Sequence, residues 1–244
     1  MGPSLSRKQR EVAEREKLVL RVAADLLRER GYHGLTMDRI AEATEYSKGT
    51  IYQHFHNKEE VVAALAIESG EHRIALFERA ATFRGTPRER CYAVGIAFDL
   101  FVALRPDHHV LEALVAPPSM REKVSETLVQ RLEWCERRCM EVVVSLMQDA
   151  IERGELALPA GVNPEQVTLG LWAMAVGTHE IIACEKNLAD QGIADPRAAL
   201  HANYHALLDG WGWTPLSREH DYAATLERVY TELFPDERAR AFGD

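Results

Sequence analysis

Cysteine is scarce in this chain. Its 244 residues include four, Cys91, Cys135, Cys139 and Cys184. They sit in helical patterns rather than in a short, loop-rich framework, which excludes a disulfide-stapled secreted domain. They read as reduced core thiols of a cytoplasmic protein. Long hydrophobic runs are also missing. No stretch of about 18 apolar residues is free of charge or turn signals, so no membrane span and no membrane partner are expected. The opening Met1-Gly2-Pro3-Ser4-Leu5-Ser6 turns charged at once and lacks the apolar segment of a signal peptide. There is no strand alternation, internal repeat or low-complexity segment. There is no glycine-rich phosphate loop, no nucleophile elbow and no paired-histidine metalloprotease helix, so neither an enzyme nor a cofactor is expected. Positive charge is short as well. The formal net charge is −9, which at first sight argues against nucleic acid.

The distribution of charge reverses that impression. Residues 1–58 hold 11 Lys and Arg against 8 Asp and Glu, a net of +3, and the remaining residues carry −12. A modestly basic head on an acidic body lets the head approach phosphates while the body is kept away. Arg7-Lys8-Gln9-Arg10 precedes the expected first helix and is placed to reach a minor groove or backbone as a basic arm.

The most informative stretch runs from Leu35 to Glu59. Thr36 is a good N-cap, because its hydroxyl can accept from the free N–H groups of the first turn. Met37, Ile40, Ala41 and Ala43 then supply a short apolar face, and Thr44-Glu45-Tyr46 breaks the pattern. Ser47 is a second N-cap. In the helix that follows, Ile51 and Phe55 are four apart and share the buried face. The other side shows Lys48, Gly49, Thr50, Tyr52, Gln53 and His54. Glycine in a helix costs about 1 kcal/mol against alanine, a cost that makes sense where a backbone must approach another molecule closely. A helix N-terminus also attracts phosphate through its unpaired N–H groups and partial positive charge. Two short helices with a tight turn and this exposed face suit insertion into the major groove of DNA.

From Gly31 to about Leu65 the chain resembles the helix-turn-helix of the tetracycline-repressor (TetR/AcrR) family of transcription regulators. Ser47-Lys48-Gly49-Thr50-Ile51-Tyr52 and His54-Phe55 are the most specific part, followed by Asn57-Lys58-Glu59-Glu60. The resemblance implies an all-α homodimer that binds a palindromic double-stranded DNA operator and usually represses, with a small-molecule effector in the C-terminal domain weakening DNA binding. Carried over by position, Thr36, Ser47, Thr50, Tyr52, His54 and Lys58 would touch phosphates. Lys48 and Gly49 would lie closest to base edges, with Tyr52 and Gln53 nearby. One departure stands out. Glu45 occupies the turn where the family commonly has glycine, because a left-handed residue follows the first helix there, and a non-glycine residue in that conformation costs roughly 1–2 kcal/mol.

The rest of the chain reads as helices: about Glu11–Glu29, Lys58–Thr82, Arg88–Leu104, His108–Val115, Ser119–Arg153, Pro164–Leu188, Pro196–Trp211 and Ser217–Leu233. The expected domains are 1–57, a DNA-binding head with its basic arm, 58–234, a helical regulatory and dimerisation domain, and 235–244, a frayed tail. The helix from Gln166 to Cys184 is nearly apolar all round, so it is expected to be covered by something beyond its own domain. Gly170, Ala173, Gly177 and Ile181 run along one side, and Ala199, Ala202 and Ala206 mark the next helix. Small residues on such lines let another helix approach, which suggests a two-fold four-helix interface. For a ligand cavity the candidates are Phe98, Phe101, Met140, Trp172 and Met174, with His109 and His179 as polar tips and Glu180 as a buried carboxylate in need of a partner. A metal- or thiol-responsive regulator is the alternative, since His201 and His205, and Cys135 and Cys139, are each four apart. The sequence shows only pairs where a tetrahedral site needs about four ligands, so no metal is expected. A binding protein or enzyme with a vestigial head is the remaining reading.

Overall fold

The computed structural model describes residues 6–185 and 187–243. All regular structure among them is helical: α1 (Arg7–Gly34), α2 (Met37–Thr44), α3 (Lys48–His54), α4 (Lys58–Ala81), α5 (Pro87–Leu104), α6 (His108–Val115), α7 (Pro118–Arg121), α8 (Glu126–Glu152), α9 (Pro164–Cys184), α10 (Pro196–Gly210), α11 (Tyr222–Leu233) and α12 (Pro235–Phe242), with one 3-10 turn at Ala189–Gln191. The expected all-α class is the observed one. The chain forms two compact units, Met1–Gly70 with Asp107–Trp134, and Glu71–Pro106 with Cys135–Asp244.

The first unit is built on α1, α2, α3 and the start of α4. Val19, Ala23, Leu35, Ile40, Ile51, Phe55, Val61 and Val62 are buried at its centre, each large apolar side chain contributing about 1.5–3 kcal/mol relative to exposure. α1 begins earlier than the periodicity predicts. Ser6 and Gln9 form a reciprocal capping box, so Arg7-Lys8-Gln9-Arg10 is the first turn of a helix rather than an arm ahead of it. Residues 1–5 of that expected arm lie outside the described residues. Gly31, at φ 65°, breaks the helical path inside α1. The unit also holds residues 107–134, a partition the expected boundary at residue 57 misses. The reason lies at the start of α4: the Asn57 amide donates to the Lys123 carbonyl at 2.8 Å, and the Ser125 N–H donates to Glu60 at 3.3 Å. This turn interrupts the helix expected over Ser119–Arg153 and splits it into α7 and α8.

In the second unit α5 packs against α9, α11 and α12, and α9 against α10. Ile96, Leu100, Phe101, Met147, Leu200, Trp213 and Phe234 are fully buried. Arg88 is buried too. Its guanidinium donates to Asp209 at 2.6 Å and to the carbonyls of His205 and Trp213. The tail from Pro235, expected to fray, is α12. Proline at the first helical position starts a helix, because its missing N–H would be unpaired there anyway. Arg79 pairs with Glu237 and lies 4.4 Å over the Phe234 ring, and Arg238 grips Glu227 with two hydrogen bonds. Two other boundaries shift: α9 stops at Cys184 rather than near Leu188, and α11 starts at Tyr222 behind the Asp221 cap rather than at Ser217.

α9 is not buried on every side. Leu169, Trp172 and Ile181 are 54%, 51% and 55% exposed. By length and composition, Pro164–Cys184 is apolar enough to cross a membrane, with a mean hydropathy of 1.4. Cys184, expected in the core with the other cysteines, is exposed at the end of this helix.

Candidate functional site

The helix-turn-helix segment is set by local caps. The Thr36 hydroxyl accepts from the Arg39 N–H at 3.3 Å and starts α2. α2 ends on Glu45, which adopts the left-handed conformation at φ 58°, as the departure from glycine there implies. The Tyr46 N–H returns to the Ala41 carbonyl at 3.1 Å and closes the turn. Ser47 then caps α3: its Oγ accepts from the Thr50 N–H at 3.1 Å and lies 2.9 Å from the Thr50 hydroxyl. Ile51 is fully buried beneath the helix.

On the outer side of α3, Lys48, Gly49, Tyr52 and Gln53 are exposed, and Thr50 and His54 are half-buried. Lys48 Nζ stands 2.8 Å from Asp38, a residue the sequence reading did not single out, and this hydrogen bond holds its ammonium pKa above the usual lysine value. Gly49 has no internal reason to be glycine. A Cβ built there meets only the Ser47 Oγ, at an ordinary 3.7 Å, and its φ is not positive. Lys58 stands apart from the other predicted contacts. Its Nζ donates to the Tyr32 carbonyl at 3.1 Å and lies 3.9 Å over the Tyr32 ring. The Tyr32 phenol is pushed up to about 12 by burial and by Glu59, to which it donates at 3.0 Å.

The second unit encloses a cavity of about 300 Å3 between α4, α5, α8, α9 and α10. Of the eight residues expected to line it, Phe98, Met140 and Trp172 do. Phe101 is fully buried in the core instead, and His109 belongs to α6 in the other unit. Met174 is half-buried off the cavity, and Glu180 is exposed, so its carboxylate needs no buried partner. His179 is buried, but its Nε2 is bound to Asp99 at 2.8 Å. The lining that sequence reasoning missed includes Phe77, Cys91, Tyr92, Gly95, Leu171 and Tyr204. Cys91, Gly95 and Phe98 share one face of α5 at three- and four-residue steps, a signal that was available. Tyr204 sits on α10, where the sequence drew attention to the small residues and to the His201 and His205 pair instead.

Beside the cavity runs a buried polar chain. Asp99, 2% exposed, accepts from His179 Nε2 at 2.8 Å and from His201 Nε2 at 2.6 Å, and His201 Nδ1 is 2.9 Å from the Tyr92 hydroxyl. Burial alone would raise the Asp99 carboxyl pKa, but the two imidazole hydrogen bonds outweigh it and hold the group below the usual carboxylate range. His201 and His205 do not converge on a shared site. His205 is wedged 4.6 Å from the Tyr92 ring and 4.3 Å from Tyr222, and desolvation followed by nearby Arg88 lowers its pKa to about 4. Among the described residues no group of three or more His, Cys, Asp or Glu is placed to hold a metal ion.

A capped two-helix reading element carried on an all-helical body defines a helix-turn-helix, DNA-binding transcription regulator. Residues 19–65 match the family described as bacterial regulatory proteins, tetR family. The chain is similar to the HTH-type transcriptional regulator UidR of Escherichia coli K12, 25% identical over 139 residues, 57% of this chain and 67% of that one. It is similar also to the fatty acid metabolism regulator protein of Bacillus subtilis 168, 25% identical over 138 residues, 57% and 69% of the two chains. Among solved structures, a TetR/AcrR-family transcriptional regulator from Thermobifida fusca YX-ER1 shares the fold, with a TM-score of 0.59, 23% identity, and coverage of 81% of this chain and 98% of that one.

Proposed function

We propose that two copies of this chain bind a pseudo-palindromic operator through paired α3 helices, as a cytoplasmic repressor released by a small, mostly apolar molecule held in the body cavity. The observation that carries the DNA part is the outer face of α3. Gly49 is exposed with nothing in its own chain requiring glycine, so the requirement comes from a partner that approaches the backbone. Lys48, Tyr52 and Gln53 surround it with side-chain donors. Thr36, Ser47, Thr50 and His54 remain the proposed phosphate contacts. Lys58, already committed to Tyr32, has the weakest claim.

Dimerisation through α9 and α10 is supported by what a single copy leaves uncovered. Leu169, Trp172 and Ile181 are exposed large apolar residues. Gly170, Ala173, Ala202 and Ala206 are exposed beside them, with Gly177 and Ala199 half-buried. Small residues permit close helix approach, and an isologous two-fold contact covers both copies at once. The same face accounts for a helix apolar enough to resemble a membrane span. The cavity's apolar lining supports an apolar effector, and the relative named as a fatty acid metabolism regulator makes acyl compounds the first to try. α4 runs from the reading head into the cavity wall through Phe77, so an occupant that displaces α4 would respace the two heads. By linkage, effector and operator then weaken each other by the same factor, typically 5–150-fold.

Selection from random DNA followed by sedimentation tests this. The expected result is a two-fold site with half-sites about 34–36 Å apart, one turn of B-DNA, bound by a dimer. A monomer at micromolar concentration with no enriched site would defeat the proposal.

A further inference from the structure

We propose that the cavity takes a small apolar molecule ending in a carboxylate, and that the Arg73 guanidinium binds this carboxylate as a planar, two-point clamp. This rests on the reading of the cavity as the effector site.

The charges lining the cavity do not balance. Arg73 and Arg137 stand against Glu136, and the other lining residues are neutral. That leaves an excess of one positive charge in a cavity whose walls are mostly apolar, with Phe77, Phe98, Met140, Leu171 and Trp172 among them. The three charged groups are placed differently. Glu136 and Arg137 are exposed, so they belong to the mouth. Arg73 is half-buried. Its Nε is shut off from water, and its guanidinium carbon lies 5.6 Å from the centroid of the fully buried Phe101 ring. Arg73 and Phe77 are four apart on α4, so one face of this helix offers the cavity a cation and, a turn later, an aromatic ring.

Arginine is an unfavourable lining for an apolar wall. A partly dehydrated guanidinium is costly unless anions answer it, and methionine would line the same space without that cost. Arg73 and Glu136 each have interactions within the chain, but one glutamate at the mouth cannot neutralise two arginines. The remaining charge is met by an anion that arrives with the ligand. The fork of N–H groups on a guanidinium matches the two oxygens of a carboxylate, and the group stays protonated in proteins. At about 300 Å3 the space is at the small end of ligand cavities, suited to one ring with a short chain. Because Arg73 belongs to α4, the carboxylate engages the helix that leads from the reading head. The charge that selects the effector therefore also acts on the element that must move.

The test compares 4-phenylbutanoate with 4-phenylbutanamide, which has the same shape and no charge. Each is titrated calorimetrically into the full-length protein, Arg73→Gln and Arg137→Gln at about pH 7, where the carboxylate is ionised. The unaltered protein should bind the carboxylate about ten- to hundredfold tighter than the amide, the range of charge-assisted hydrogen bonds. Arg73→Gln should remove that preference by weakening the carboxylate alone, with the amide unchanged within about twofold. Arg137→Gln should keep the preference. An Arg73→Gln protein that weakens both probes equally, or leaves the preference intact, overturns the proposal. Loss of the preference in Arg137→Gln would put the carboxylate at the mouth and also overturn it. If the two probes bind the unaltered protein equally, the carboxylate assignment fails while the effector cavity stands. If neither binds, the effector reading of the cavity fails and the inference falls with it. Should Arg73→Gln fold poorly, the Arg73 Nε–H NMR signal of the unaltered protein takes its place. It should shift with 4-phenylbutanoate and not with the amide, and identical shifts would overturn the proposal.

Discussion

In the helix-turn-helix segment, Lys48 and Gln53 keep their polar atoms at the surface, and Ser47 and Thr50 are tied to each other within a single turn. In the body, Arg88, Asp99 and His179 are buried and bound to residues far away in the chain. The two regions treat polarity differently because it serves different ends. A surface group bonded to its neighbour can exchange that bond for one to a phosphate or base edge at little cost. A buried group cannot, since water is not there to replace a lost partner. The head can therefore vary its chemistry without losing its fold, whereas the polar groups of the body are conditions of its fold.

The contrast is broken most severely at Arg88. Arg88→Ala takes one donor from the Asp209 carboxylate, which keeps those of Ser217, and one from each of two carbonyls, and should cost about 3–5 kcal/mol in denaturant unfolding. A loss under about 1 kcal/mol would mean that the body tolerates vacancies much as a surface does. Asp99→Asn is the next largest. The folded Asp99 pKa lies below its unfolded value, so the ionised group stabilises the fold above the ordinary carboxylate range near pH 4, and this contribution is lost as pH falls through the folded value. The unaltered protein should exceed the variant by about 1–3 kcal/mol at pH 7, and the gap should close below about pH 4. A gap independent of pH would argue against an ionised Asp99.

Two lysines sharpen the comparison inside the head. Lys58→Ala removes a backbone hydrogen bond and a cation–π contact with Tyr32, and should lower stability by about 1 kcal/mol. It should leave the salt dependence of DNA binding nearly unaltered. A slope flattened by about one unit per head would show that Lys58 reaches phosphate after all. Lys48→Ala should leave the melting temperature in place and relax base preference, read by competition among operator variants. The smallest effects fall in the turn and on α3. Glu45→Gly relieves the left-handed strain and should add about 1 kcal/mol. Gly49→Ala should add up to about 1 kcal/mol through helix propensity while weakening DNA binding. Gly49→Ala protein that binds the operator at full strength would remove the main support for close backbone approach.

Much of the head was legible from residues next to one another. Thr36, Ser47, Ile51 and Phe55 do what their spacing predicts, and Glu45 takes the left-handed conformation its position in the turn demands. Elsewhere local signals misled. Pro235 looked like a stop and is a start, and the helix read from Ser119 is interrupted because Asn57 and Glu60 hold the turn ahead of Ser125. The small residues of α9 and α10 were recognised, but the exposure of Leu169, Trp172 and Ile181 shows in the folded chain alone.

What the sequence determined by itself were the helices, their caps and the reading element. Those depend on hydrogen bonds and side-chain contacts spanning three or four residues, which a linear pattern records directly. The cavity and the buried network were decided by tertiary structure. Asp99 meets His179 and His201 across 80 and 102 residues, and nothing in the local pattern around any of the three names the other two. Tyr92 is the sharpest case. Its place on α5 marks it as a buried aromatic, but only the packed helices show that its hydroxyl meets His201, because hydrogen-bond satisfaction belongs to the assembled interior and not to any one segment.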